Sequence, residues 1–242
     1  TNSTAPGWNF YQDSAGSAPG PRLTSGATPV SGDPELTAGD SVVDPSGQGW
    51  LRLATATNNQ SNAVYFDTPI PSAGNRVTVS FSANLWGGTG ADGLTMFLYD
   101  ASKEFDPGGF GGSMGYANRD GTIGGLAGAY VAVGLDAFGN FSNPTESRNG
   151  GVGFVPNAVV VRGPDTGSVA GQDGYNYLAG TSGNGIQGRD FTDTGGATTL
   201  DAADGVMPTL PYQMQFTSAT DRPNQSTQYP RVEATLDEHS PF

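Results

Sequence analysis

From residue 131 to residue 144 the chain reads Val-Ala-Val-Gly-Leu-Asp-Ala-Phe-Gly-Asn-Phe-Ser-Asn-Pro, an apolar run followed by a cluster of oxygen donors. Asp136 offers a carboxylate, Asn140 and Asn143 offer side-chain amide oxygens, and Phe138 offers its backbone carbonyl. Calcium is a hard cation that accepts roughly six to eight oxygen ligands at flexible angles, so donors at uneven spacing on a bent loop suit it. The segment also fits a plainer description, a strand from Val131 to Leu135 that ends in an Asx-rich turn at Gly139, Asn140 and Pro144. Spacing alone leaves both open.

A second segment upstream reads Ala91-Asp92-Gly93-Leu94-Thr95-Met96-Phe97-Leu98, and between the two lies the glycine-rich run Gly108 to Gly115. In that order, the segments resemble L-type (legume-like) lectins. In that family the pattern D-x-aromatic-x-N-x-x-D-P follows a V-A-V strand, and an A-D-G-[LI]-x-F-x-L segment carries the sugar-binding aspartate. The glycine-rich loop is most similar to bacterial members, and the motifs cover residues 75 to 165. The resemblance implies an all-β fold, a concanavalin A-like antiparallel β-sandwich (jelly roll). It also implies calcium bound by Asp136, the Phe138 carbonyl, Asn140 and Asn143. A glycan would stack on Phe138, with Asp92 as acceptor, Asn140 as donor and a backbone amide from Gly112, or next to it Gly111. Asn140 would serve twice, its oxygen on calcium and its amide nitrogen on sugar. Such a pairing makes physical sense, because a sugar presents one apolar face and many hydroxyls that need both donors and acceptors. The resemblance further implies an unusual backbone at Asp92, frequently a cis peptide after Ala91. Two local alternatives stand beside it: Gly90 to Gly93 as a type I′ turn, and Gly108 to Gly115 as a flexible hairpin connector.

The chain departs from the family where plant members bind a transition metal beside calcium. Gly134 replaces the glutamate two residues before Asp136, Gly150 or Gly151 falls where a histidine is expected, and the single histidine, His239, lies near the end. No transition metal is therefore expected. Asn143 stands where the family has its last calcium aspartate, which lowers the ligand charge and predicts weaker affinity. Asp100, Asp106 and Asp120 are candidates to supplement the set.

With 242 residues, the length fits one large all-β domain spanning residues 1–242. Gly 38 and Pro 17 would suggest disorder in a chain poor in aromatics, but aromatics make up 10% and recur in alternating segments. Predicted strands are Gly49 to Thr57, Asn62 to Phe66, Arg76 to Ala83, Gly93 to Tyr99, Ala129 to Asp136, Gly151 to Arg162, Pro211 to Ser218 and Arg231 to Leu236. An N-terminal strand is expected at the aromatic knot Trp8, Phe10 and Tyr11, within an otherwise loop-rich segment 1–49. Residues 163–208 read as a long loop insertion that either walls a glycan site through Tyr175 or Tyr177 or is a surface excursion pinned by those rings. Only six residues follow Leu236, so a C-terminal strand of the jelly roll is expected to come from elsewhere.

Acidic residues outnumber basic ones 23 to 10, giving a net charge of −13. Nucleic acid and anionic membranes are disfavoured as partners, and no segment is long and apolar enough to insert into a membrane. Cysteine is absent, which excludes disulfides and thiolate metal sites. Thr1 is not a methionine, and a leader or upstream domain is expected to have been removed. The combined reading is a non-enzymatic, calcium-dependent carbohydrate-binding domain, secreted or at the cell surface, as the ligand-binding part of a bacterial surface or pilus adhesin with further domains or chains. The alternative is a structural or protein-binding module of such an assembly that keeps the fold. A glycoside hydrolase fits less well: it needs two carboxylates roughly 5 to 9 Å apart across a cleft, and the five glutamates form no E-x-D-x-x-E strand.

Overall fold

The fold is taken from a computed structural model, which describes residues 7–13, 20–23, 51–54, 59–66, 68–70, 77–84, 91–166, 174–181, 214–215 and 231–236. Among these the chain is all-β, with eleven strands and a single 3-10 turn at Gly111–Ser113. In chain order the strands are β1 (Trp8–Gln12), β2 (Arg22–Leu23), β3 (Leu51–Arg52), β4 (Asn62–Phe66), β5 (Val77–Asn84), β6 (Gly93–Tyr99), β7 (Ala129–Asp136), β8 (Ala158–Arg162), β9 (Tyr177–Gly180), β10 (Met214–Gln215) and β11 (Arg231–Leu236).

The sheet that carries the candidate site is antiparallel, in the order β6-β7-β8-β9. Side chains alternate across β7, so Ala132, Gly134 and Asp136 point to one face and Val131, Val133 and Leu135 to the other. Leu135 packs with Leu94, Val159 and, from outside this sheet, Phe81 of β5. The opposite face is closed by connecting segments: Tyr116, Leu126, Phe141 and Tyr175 are fully buried there with Ala132, Ala158 and Val160. With both faces covered, β7 reads as a near-continuous apolar run instead of a strict alternation.

β5 pairs antiparallel with β11 and in parallel with β10, while β1 pairs with β4 and β2 with β3. Phe105 ties the β1–β4 ladder to β6. Its ring stacks on Tyr65 at 4.1 Å and meets Tyr11 and Tyr99 edge-on at 5.6 and 5.7 Å. A bulge between Leu98 and Tyr99 lets Ala129 and Val131 pair around Tyr130, which is turned outward.

Four predicted strands match their observed bounds, at β4, β6, β7 and β11, and β5 lies one residue further along. Others need correction. Only Leu51–Arg52 of the first predicted strand pairs among the described residues. Of the stretch Gly151 to Arg162, only Ala158–Arg162 is strand, because Gly151, Gly153 and Asn157 all adopt positive φ and turn the backbone over the loop before it. The region read as one long loop from 163 contains β9, reached through an isolated bridge between Asp165 and Gly174. Of Pro211 to Ser218, only Met214 and Gln215 are described, and they pair with β5. Phe191, most of 1–49 and the segment after Leu236 lie outside the described residues, and β11 has one hydrogen-bonded neighbour, β5, among those described.

Candidate carbohydrate and calcium site

β7 ends in Asp136, whose carboxylate folds forward over the loop it precedes. Oδ1 accepts a hydrogen bond from the Gly139 amide at 2.8 Å, and Oδ2 accepts one from the Ser142 amide at 3.1 Å. The Asn143 amide donates to the Asn140 carbonyl at 3.0 Å, so residues 136 to 143 close on themselves. Segment 152–157 then lies along the loop: Val152 donates to the Ser142 carbonyl, Val155 to Gly139 and Asn157 to Ala137. Gly139 has φ +109°, and a Cβ there would lie 2.6 Å from the Pro156 nitrogen, so the approach requires glycine on two counts.

Two buried arginines brace this loop. Arg162, fully buried, donates to the carbonyls of Phe141 (2.9 Å), Asn149 (2.9 Å), Tyr175 (2.8 Å) and Gly150 (3.2 Å), with its guanidinium near the Phe141 ring. Burial pulls its pKa down to about 10, with Arg148 adding to the shift, yet it stays charged at neutral pH. Arg148, also buried, donates to the Asn143 carbonyl, the Ser113 hydroxyl and the Thr145 hydroxyl, and pairs with Glu146 at 2.6 Å. Through Ser113 it links the Asn143 turn to the glycine-rich loop.

That loop brings the sequence-predicted residues together. The Phe138 amide donates to the Asp92 carbonyl at 3.0 Å, and the Ala91–Asp92 peptide is cis. Gly112 packs so closely on Asn140 that a methyl group there would collide with the Asn140 Cβ. A Cβ on Gly111 would lie 3.8 Å from Asp92 Oδ2 and 3.5 Å from Arg119 Nη1. Asp92, Gly111, Gly112, Asp136, Phe138, Asn140 and Asn143 thus meet at one end of the sheet. The glycine-rich segment is an ordered 3-10 turn here, with Met114 in the left-handed region, and Asp92 leads directly into β6.

The Asp92 carboxylate and the side-chain amides of Asn140 and Asn143 are half-buried and make no hydrogen bond to a described residue. These three groups are open to bonding with water or with a ligand, and the nearby ring of Phe138 is 41% exposed. Burial raises the Asp92 pKa, and Glu146 adds to this while Arg119 and Arg148 oppose it. Burial likewise raises Asp136, to about 6, against the lowering effect of the Gly139, Ser142 and Phe141 amides.

The donors also suit a calcium ion. Asp136, Asn140, Asn143 and the Phe138 carbonyl are all oxygen donors on one closed loop, the chemistry a hard cation accepts. A cation there would stabilise the ionised form of Asp136, which burial disfavours. Gly134 lies under the Phe141 ring, where a Cβ would sit 2.5 Å from Cδ1, so packing leaves no room for a metal-ligating side chain at that position. Among the described residues no three His, Asp or Glu side chains converge on a point. Of the acidic supplements, Asp100 accepts from the Ser102 amide and Asp120 pairs with Arg119.

Sequence reasoning passed over Arg119, Glu146, Phe110 and Phe154. Arg119 lies 4.0 Å from the Phe110 ring and 3.2 Å from Glu146, so a cation flanks the Asp92 and Gly111 corner. For Arg119 and Glu146 the only signal was rarity, since charged residues make up 14% of the chain, and the two phenylalanines gave none. Tyr175, read as a candidate sugar platform, is instead core: it is fully buried and its hydroxyl donates to the Leu126 carbonyl. Tyr177 is half-buried against the same core. Among known proteins, the chain matches no protein-family model and no curated protein sequence.

Gly112→Ala offers a compact test of this packing. The added methyl displaces Asn140, and overpacking of this kind costs about 1 to 3 kcal/mol. Its expected result is a lower melting temperature together with loss of ligand binding, whereas Gly115→Ala, where φ is +73° but a Cβ meets nothing within 4 Å, is expected to lower the melting temperature through backbone strain alone and to change binding little.

Proposed function

We propose that this chain is a calcium-dependent carbohydrate-binding domain with a concanavalin A-like jelly-roll sandwich. The observation that carries the reading is the trio of polar side chains, Asp92, Asn140 and Asn143, that make no hydrogen bond among the described residues, close to the exposed ring of Phe138. Asp92 is an acceptor for sugar hydroxyls, Asn140 a donor, and the ring a platform for the apolar sugar face. The contact of Phe81 with Leu135 across two sheets supports a sandwich. A net charge of −13 favours neutral glycans over anionic ones. By the same reading the domain works outside the cell, as the glycan-binding part of a surface or pilus adhesin. The hydrolase alternative is weaker, because both oxygens of Glu146 are held by Arg119 and Arg148.

A glycan array run in calcium and again in EDTA tests the proposal. The expected result is binding to a small set of neutral glycans that EDTA abolishes. Binding to none, or binding that EDTA leaves intact, overturns it, and release of free sugar would favour the hydrolase.

The metal-free protein should also carry a pH signature. The unfolded chain ionises Asp136 near 3.8 and the folded chain near 6. Between those values the native state holds a proton that the unfolded state has lost, so the contribution of Asp136 to stability is greatest below about pH 4 and is lost as pH climbs through about 6. The loss is on the order of 3 kcal/mol. Thermal melts across pH 4 to 8 in EDTA check it, and calcium is expected to reverse the loss at pH 7.

A further inference from the structure

Phe154 stands outside everything assigned above, yet it is among the most exposed large apolar side chains of the described residues, at 52%. Its ring meets that of Phe138 edge-on, with centroids 5.4 Å apart and planes at 81°. The pairing is built in, because Val155 donates to the Gly139 carbonyl and Pro156 packs on Gly139. Two half-exposed rings at right angles form a floor and a wall, and neither buries the other. Two adjacent exposed rings make a contiguous apolar surface, which marks a binding site more than a single exposed side chain does. A comparable pair, Trp8 and Phe66, lies on the β1–β4 ladder, whereas the Phe138–Phe154 pair lies at the loop of Asn140, and Phe138 is hydrogen-bonded to Asp92.

Resting on the reading of this site as a sugar site, we infer that Phe154 is a second stacking platform and that the ligand is a neutral glycan of at least two rings. One sugar occupies Phe138 and the polar trio. The next, a few ångströms along the chain, lies against Phe154. Because the wall is preorganised, its contact area adds affinity without a large ordering cost.

The test is calorimetry in calcium buffer on the intact chain, with methyl glycosides of glucose, galactose and mannose as probes, each against its di- and trisaccharide. For the sugar that binds, the wild type is expected to prefer the longer glycan. Phe154→Ala is expected to weaken the longer glycan by about three- to tenfold, as one aromatic contact does, while the methyl glycoside and calcium bind as before. Phe154→Tyr keeps the preference, and Phe138→Ala weakens short and long probes alike. A methyl glycoside that binds as tightly as its trisaccharide, or a preference that survives Phe154→Ala, overturns the inference and leaves the sugar site standing. Equal loss on short and long probes with a lowered melting temperature makes Phe154 a packing residue and also overturns it. If no probe binds and the array is blank, both readings fall together.

Discussion

Arg162→Met is expected to destabilise the protein by about 3 to 5 kcal/mol, the cost typical of breaking a buried charged network. Four carbonyls depend on this one guanidinium, those of Phe141, Asn149, Gly150 and Tyr175. Methionine fills much of the volume but leaves the four acceptors buried without donors, and each such group carries a desolvation penalty of about 1 to 3 kcal/mol. In a domain of this size the loss corresponds to a fall in melting temperature of roughly 10 °C. Arg162→Lys keeps the charge but cannot fork to carbonyls on three segments, so an intermediate loss is expected. Calcium affinity should fall with stability, because Phe141 sits inside the loop that Asp136 and Asn143 close. Thermal melts paired with calcium titrations decide it. A melting temperature within about 2 °C of wild type would mean that the clamp contributes little.

Asp92→Ala and Asn140→Ala are expected to fail differently. Asp92 offers its carboxylate to the ligand side of the site and touches the loop through its backbone carbonyl, which alanine retains. Its replacement should abolish glycan binding while leaving calcium affinity largely intact. Asn140 lies on the loop itself, packed against Gly112, and its loss should harm both. Leaving polar groups unpaired costs about 1 to 3 kcal/mol each, enough to erase a millimolar-class interaction worth roughly 4 kcal/mol. Phe138→Ala should keep calcium, whose ligand at that position is the backbone carbonyl, and weaken the sugar. Calorimetry of calcium and glycan on the three variants separates the outcomes. An Asp92→Ala protein that binds glycan like wild type moves the sugar site elsewhere.

Legibility followed the range of the interactions involved. β6 and β7 could be bounded from pattern, because an apolar run stopped by Asp-Gly or Asx-rich punctuation is a local signal. The stretch Gly151 to Arg162 misled for the opposite reason. Val152, Phe154 and Val155 look like strand residues, but positive φ at Gly151 and Gly153 turns them across the Asp136 loop. Tyr175 misled too, since an isolated ring in a glycine-rich segment resembles a surface platform. Here it closes the core over Leu126, and a Cβ on Gly125 would run into it.

Residue types and order alone were enough to indicate an all-β chain, an acidic surface, and an oxygen-rich loop after an apolar strand with Asp92 upstream. Tertiary structure decided which polar groups are spent and which are left over. Arg162 disappears into main-chain carbonyls from distant segments and Arg148 into hydroxyls, a carboxylate and one carbonyl, whereas among the described residues Asp92, Asn140 and Asn143 keep their side-chain bonding capacity near an exposed ring. A sequence states how many donors and acceptors a chain owns. Which of them find partners depends on segments far apart in sequence meeting in space, here Gly112 against Asn140 and Phe154 against Phe138.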